Sequence, residues 1–260
     1  MQILGLALVS LLCQGGDSLG QKPTPPPPKL VVSDITVGKG EAVVKGDQVT
    51  VDYTGTLADG KVFDTSKKPG REPFTFIVGV SPVIQGWHQG LVGMKVGGVR
   101  KLIIPSNLGY GEKGSPPVIP PNATLVFTIS LHKVEDLIDR LKISIIHPGE
   151  GATLAWGDVA MIKLTGKTAD GSVFISTGES MPLGARFAVG VSPAPPGFTL
   201  GVVGMKKGER RTVIVPPELG FGATGQPNLK IKPNETLTLD VELLSIGDSA
   251  GPSRNKDPRQ

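Results

Sequence analysis

The chain has 260 residues, among them 36 glycines and 24 prolines, with 38% hydrophobic and 19% charged residues. That length suits two ordinary domains of about 100–150 residues each, and the abundance of turn formers suits many short strands and excludes helical bundles and coiled coils. Twenty-seven basic residues against 23 acidic ones leave a net charge of +4, too scattered for a nucleic-acid-binding stripe, while the slightly positive mean hydropathy excludes a wholly disordered chain.

At the start, Ile3 to Leu12 is an apolar run followed by small and polar residues up to Gly20. This is the layout of a secretory signal peptide, with Ser18-Leu19-Gly20 as its cleavage site, although the basic leader usual before such a run is missing. Residues 1–20 are therefore read as a signal peptide and the protein as exported, to a periplasm or outside the cell. The only cysteine, Cys13, falls inside this segment, so the mature chain has no thiol, disulfide or cysteine metal site. Lipid anchoring at Cys13 is the weaker alternative, because Leu12 stands where a small residue precedes such a cysteine. No uninterrupted apolar run reaches about 18 residues, and no membrane span is expected. Residues 21–28, ending in Pro25 to Pro28, read as a stiff Pro-rich spacer.

From there the chain repeats itself at a spacing of 111 residues. Ala58-Asp59-Gly60 recurs as Ala169-Asp170-Gly171, Val78 to Pro82 recurs letter for letter as Val189 to Pro193, and Val92-Gly93-Met94-Lys95 as Val203-Gly204-Met205-Lys206. A whole domain is duplicated, as units 29–136 and 138–247. Alternation predicts strands at Val49 to Tyr53, Phe74 to Val78, Val99 to Ile104, Thr124 to Leu131 and, in the second unit, Arg211 to Val215. Ala58-Asp59-Gly60 signals a hairpin turn. Alternation fails from Ile84 to Leu91, where one short helix is expected. The polar tail, 248–260, reads as disordered.

The three histidines, His88, His132 and His147, have no partner at metal-ligand spacing and read as ordinary surface or strand residues. The glycines read as turn residues between strands, so no phosphate-binding loop is expected. Aromatic residues are concentrated in the first unit, which holds both tyrosines, Trp87, and four of the eight phenylalanines. Their motifs run in order: Tyr53-Thr54-Gly55, Phe63-Asp64-x-Ser66, Pro73-Phe74-x-Phe76, Val83-Ile84-x-Gly86-Trp87, Gly109-Tyr110-Gly111, and Ile119-Pro120-Pro121-Asn122-Ala123-Thr124-Leu125-Val126-Phe127. The series resembles the FKBP-type peptidyl-prolyl cis-trans isomerases, a family that binds macrolide immunosuppressants. The second unit resembles it more loosely.

The resemblance implies an α+β, mainly β fold: about five or six antiparallel strands wrapped around a short helix, duplicated in tandem, with a hydrophobic pocket between helix and sheet. It implies Tyr110, Asp64, Phe63 and Trp87 as catalytic residues, Trp87 being the pocket floor, and Tyr53, Phe74, Val83, Ile84, Ile119 and Phe127 as substrate-binding residues. The Tyr110 hydroxyl and the Ile84 backbone amide would bond substrate carbonyls, and Asp64 would orient the twisting carbonyl or bond Tyr53. Phe76 reads as core. Partners implied are proline-containing unfolded or partly folded polypeptides and macrolide inhibitors. No cofactor or metal is implied.

Elementary chemistry agrees, because rotating a peptide bond breaks no covalent bond and needs no nucleophile, only relief of a barrier of about 18–20 kcal/mol. The second unit departs at the pocket: Leu164, Ile175, Ala185, Pro195, Phe198, Phe221 and Leu239 stand where the first has Tyr53, Asp64, Phe74, Ile84, Trp87, Tyr110 and Phe127. The pocket's hydroxyls and carboxylate are lost, so that unit reads as folded but catalytically weak or silent. The alternative for the whole chain is a non-catalytic, peptide-binding chaperone module.

Overall fold

The computed structural model describes residues 28–247 apart from Glu179, Ser180 and Pro182. The expected signal peptide, Cys13, most of the spacer and the tail lie outside the described residues. The first unit runs β1 (Val31–Thr36), β2 (Gln48–Leu57), β3 (Val62–Thr65), β4 (Phe74–Ile77), α1 (Gln85–Leu91), β5 (Val99–Ile104) and β6 (Leu125–Glu135). Its six strands pair antiparallel in the order β1-β5-β6-β2-β3, with β4 also on β2.

The second unit runs β7 (Lys142–His147), β8 (Glu150–Thr153), β9 (Val159–Lys167), β10 (Val173–Ser176), β11 (Ala185–Ala188), α2 (Pro196–Val202), β12 (Lys206–Lys207), β13 (Arg210–Val215) and β14 (Leu237–Gly247). Its main sheet, β10-β9-β14-β13-β7 with β11 on β9, repeats the first, and β8 and β12 form a separate two-stranded ribbon. No helix among the described residues is long and apolar enough to cross a membrane.

Alternating side chains fix the sheet's two faces. Along β6, Leu125, Phe127, Ile129 and Leu131 are buried while the residues between them are half-buried, so a slip of one position would turn the whole apolar set outward. The strand continues four residues past its expected end, because Glu135 still pairs with Gln48 of β2. At the β2–β3 turn, Gly60 adopts φ +88° and its N–H donates to the Leu57 carbonyl at 3.0 Å, the conformation that calls for glycine there.

Not all glycines are turn residues, contrary to expectation. Gly86 and Gly90 lie in α1 and face β5: a Cβ at Gly86 would sit 2.4 Å from Ile104 Cγ2, and one at Gly90 2.6 Å from Leu102 Cδ1. The short helix therefore lies flush on the sheet, and Gly197 of α2 meets Val215 in the same way at 2.4 Å.

The last carbonyls of a helix lack intrahelical partners and attract cations. For α1, buried Arg100 meets that need, its Nη1 donating to the carbonyls of Gly90 (2.8 Å) and Val92 (3.1 Å) while Nε and Nη2 bond the Asp34 carboxylate at 2.7 and 3.1 Å. Arg211 does the same for Gly201 (3.1 Å) and Val203 (3.4 Å) of α2, but its carboxylate is Glu209, two residues away. One core gathers around Val51, Leu91, Leu102 and Ile129, the other around Leu154, Met205, Val213 and Leu237. Leu137 from the connection and Ile77 from β4 both pack into the second core.

Candidate active site

Between α1 and its sheet lies a cavity of about 610 Å³. Nine of the ten residues that the resemblance singles out line it. Tyr53 comes from β2, Phe63 and Asp64 from β3, Phe74 from β4, and Val83 and Ile84 from the approach to α1. Trp87 comes from the helix itself, Tyr110 from the loop after β5, and Phe127 from β6. Ile119 is the exception: 5% exposed, it packs in the core and does not line the cavity. Its loop explains this, since backbone bonds between Ile119 and Ser115 (2.9 Å in each direction) fold the segment back on itself. Pro82, Gln85 and Gly109 also line the cavity. Gln85 opens α1, and Pro82 and Gly109 lie in the connections before α1 and after β5.

Trp87 is the centre of the aromatic set. Its ring lies 5.1 Å from Tyr53, 5.2 Å from Phe127 and 5.9 Å from Phe74, each edge-to-face, the arrangement that aromatic quadrupoles favour. Phe63 stands edge-on to Phe127 at 5.5 Å. Phe76 is buried behind this set as expected, stacked on Phe74 and outside the cavity lining. The Trp87 indole N–H is buried without a hydrogen-bond partner among the described residues.

Asp64 is fully engaged. Its Oδ2 accepts from the Tyr53 hydroxyl at 2.5 Å, and its Oδ1 accepts from Arg71 Nη1 at 2.8 Å and from the Thr65 N–H at 2.9 Å. Burial pushes the carboxyl up, but these bonds and the Arg71 charge outweigh it and hold Asp64 below its ordinary value. Burial, and then the Asp64 carboxylate, push the Tyr53 phenol up to about 12. At neutral pH the pair is therefore a carboxylate accepting from a neutral phenol. Arg71 lies in the β3–β4 connection, and nothing in its local sequence marks it as a partner of Asp64.

Two donors at the cavity have no hydrogen-bond partner among the described residues. The Tyr110 side chain is 42% exposed, and its hydroxyl bonds no described residue; nor does the Ile84 N–H, which sits at the N-cap of α1.

The histidines divide. His132 and His147 are exposed strand residues, His132 paired with Asp52 at 2.8 Å. His88 corrects the surface expectation: it lies in α1, 6% exposed, with both ring nitrogens bonded to the chain ahead of the helix.

The second unit has a corresponding cavity of about 450 Å³, lined by Leu164, Phe174, Ile175, Ala185, Ala194, Pro195, Phe198, Phe221 and Leu239. Every substituted position thus lies where its counterpart lies in the first unit. Two polar residues also line it, Arg186 and Ser192, the Ser192 Oγ accepting the Ala188 N–H at 2.9 Å. Pro195, at the N-cap of α2, has no N–H to offer.

Comparison with known proteins places both units in one family. The profile of the family described as FKBP-type peptidyl-prolyl cis-trans isomerase matches residues 39–132 and again 151–244. An FK506-binding protein of Neisseria meningitidis serogroup A is 50% identical over 105 residues, 40% of this chain and 95% of its own. Human peptidyl-prolyl cis-trans isomerase FKBP2 is 56% identical over 91 residues, 35% of this chain and 63% of its own. The crystal structure of FkpA from Escherichia coli shares 48% identity over 41% of this chain and 48% of its own, at a TM-score of 0.38, too low to bear on the fold. With both halves matched and the aromatic cavity in place, the chain belongs to the FKBP-type peptidyl-prolyl cis-trans isomerases, two of whose domains it carries in tandem.

Proposed function

We propose that the isomerase activity of this chain resides in the cavity of the first unit and works by desolvation and carbonyl hydrogen bonding. The observation that carries this reading is an aromatic floor, Trp87 with Tyr53, Phe74 and Phe127 against it, combined with two unpartnered donors, the Tyr110 hydroxyl and the Ile84 N–H. A planar amide is the charge-separated form and the twisted transition state the less polar one, so a dry aromatic wall favours the twist. Tyr110 and Ile84 hold the flanking carbonyls while Phe63 and Trp87 enclose the prolyl ring. Uncatalysed exchange takes tens to hundreds of seconds, and reaching milliseconds needs about 5–7 kcal/mol of differential stabilisation. Asp64 bears no proton to give. Bonded to Tyr53, Arg71 and the Thr65 amide, it anchors the Tyr53 ring against Trp87.

Replacing Tyr110 with phenylalanine removes one neutral donor, about 1 kcal/mol, and should lower kcat/KM about fivefold in a cis-to-trans assay with an Xaa-Pro peptide. Unchanged kinetics in both Tyr110→Phe and Phe63→Ala, with the fold intact, would place the activity elsewhere. The Neisseria relative is named for binding FK506, and that macrolide is expected to compete with the peptide in the same assay.

The second unit has the cavity without counterparts of the Tyr110 hydroxyl and the Ile84 N–H, and its role here is to grip apolar segments of a client, raising the client's local concentration near the first unit. Clients are exported polypeptides with slow Xaa-Pro bonds. Support for export is the apolar run Ile3 to Leu12 followed by Ser18-Leu19-Gly20. N-terminal sequencing of protein from its natural source should read from Gln21, and a retained Met1 or a lipid-modified Cys13 would refute that processing.

A further inference from the structure

The two identical pentapeptides, Val78 to Pro82 and Val189 to Pro193, approach each other, and the indole of Trp156 from the second unit lies against both. A Cβ at Gly79 would sit 3.3 Å from Trp156 Cζ3, and one at Gly190 2.9 Å from Trp156 Cε3 and 2.9 Å from the Gly79 carbonyl oxygen. At Gly190 only bare backbone fits against that ring, and at Gly79, φ +87°, a side chain would be crowded by the ring and strained in its backbone. On the same stretch of the first unit, Ile77 and Val80 pack into the core of the second.

The other end of this loop forms the cavity wall, because Pro82, Val83 and Ile84 line it and Ile84 caps α1. Between the two ends sits His88, next to the floor residue Trp87. The Gly79 N–H donates to His88 Nδ1 at 2.8 Å, which leaves the proton on Nε2, and Nε2–H donates to the Ser81 carbonyl at 3.0 Å. That carbonyl also accepts the Val83 N–H at 2.8 Å, and the Ser81 Oγ accepts the Ile77 N–H at 2.9 Å. Burial holds the His88 ring below its ordinary pKa, the Lys45 charge adding to the effect against the Ser81 bond, so the neutral tautomer that both bonds require is the stable one.

We propose that Trp156 is a positioning residue for the isomerase cavity of the first unit: clamped against Gly79, it fixes the Gly79–Ile84 loop, through His88, in the conformation that builds the prolyl-binding wall. The proposal rests on that cavity being the isomerase site. It also gives the second unit a part in the reaction that its own cavity does not need to perform. A loop tied to two bodies has fewer conformations to lose when substrate arrives, so the coupling acts on binding more than on the rotation step.

The experiment uses the full chain with Trp156→Ala, Trp156→Phe and Val80→Ser. Peptide kinetics are read together with amide exchange at Gly79 and the ring-nitrogen shifts of His88 by NMR. Trp156→Ala should raise KM about fivefold with kcat little changed, speed Gly79 exchange and shift the His88 Nδ1 resonance, while Trp156→Phe restores most of each. Val80→Ser, made on the first unit's side of the contact, should reproduce the pattern, and it decides the matter with Trp156→Phe if Trp156→Ala does not fold. Folded variants with unchanged KM and unchanged Gly79 exchange would overturn the proposal, as would a fall in kcat alone. Should the parent chain show no peptide activity, the site reading fails, and Gly79 exchange alone decides the coupling: faster exchange supports it and unchanged exchange overturns it.

Discussion

Replacing Trp87 with alanine in the full chain is expected to lower kcat/KM for an Xaa-Pro peptide by about a hundredfold or more, since losing some 3 kcal/mol of transition-state stabilisation has that effect. Three rings meet the indole edge-to-face within 5.9 Å, and such pairs contribute about 0.5–1.5 kcal/mol each beyond their buried area. The void would also destabilise the first unit by about 3–5 kcal/mol. Trp87→Phe separates the two effects. The second unit carries Phe198 at the corresponding place and keeps its helix and cavity, so phenylalanine should hold the fold and much of the activity. The chain has two tryptophans, and in either variant the emission of Trp156 reports whether the contact between units survives. A folded Trp87→Ala chain that kept near-normal turnover would show that the indole floor does not carry the activity.

What the sequence made legible follows from how its signals arise. Strand alternation is a local pattern, and it predicted β2, β5, β6 and β13 because each of these strands buries one face only. The internal repeat revealed the duplication without any physics of folding. Nine of ten pocket residues were legible through family resemblance, and their counterparts in the second cavity through the repeat alone. Ile119 falls outside the lining because its loop folds back through the bonds with Ser115, a course that a family motif does not specify. His88 was read as a surface residue because one buried histidine on a seven-residue helix leaves no apolar stripe to identify it. Arg71 and Trp156 were missed for a related reason. Arg71 reaches Asp64 only because the β3–β4 connection curls back over seven residues, and Trp156 meets Gly79 across the contact between units; neither pairing has a signature in its segment alone.

The buried cations set up the largest stability effect expected in the second unit. Arg100 and Arg211 are repeat equivalents with one task, holding the last carbonyls of α1 and α2, but their carboxylates come from different positions. Asp34 stands on β1 with 35% of its side chain exposed, whereas Glu209 has 6% exposed beside an Arg211 at 7%. At the position equivalent to Asp34 the second unit has Ile145, and at that equivalent to Glu209 the first has Gly98. The counter-charge has therefore moved from a sheet edge that water reaches to a turn that it does not. Removing one partner of a buried pair leaves an uncompensated charge, so Glu209→Ala should destabilise the second unit by about 3–5 kcal/mol in denaturant unfolding. Asp34→Ala should cost the first unit less, because water can replace the lost carboxylate. Replacing both members at once, Arg211→Met with Glu209→Leu, should recover most of the loss, since a well-packed apolar pair avoids the desolvation of two ions. Equal losses in Glu209→Ala and Asp34→Ala would show that burial does not set the strength of these pairs. A double variant as unstable as Glu209→Ala would show that the guanidinium's bonds to Gly201 and Val203, more than its pairing with Glu209, hold the end of α2 in place.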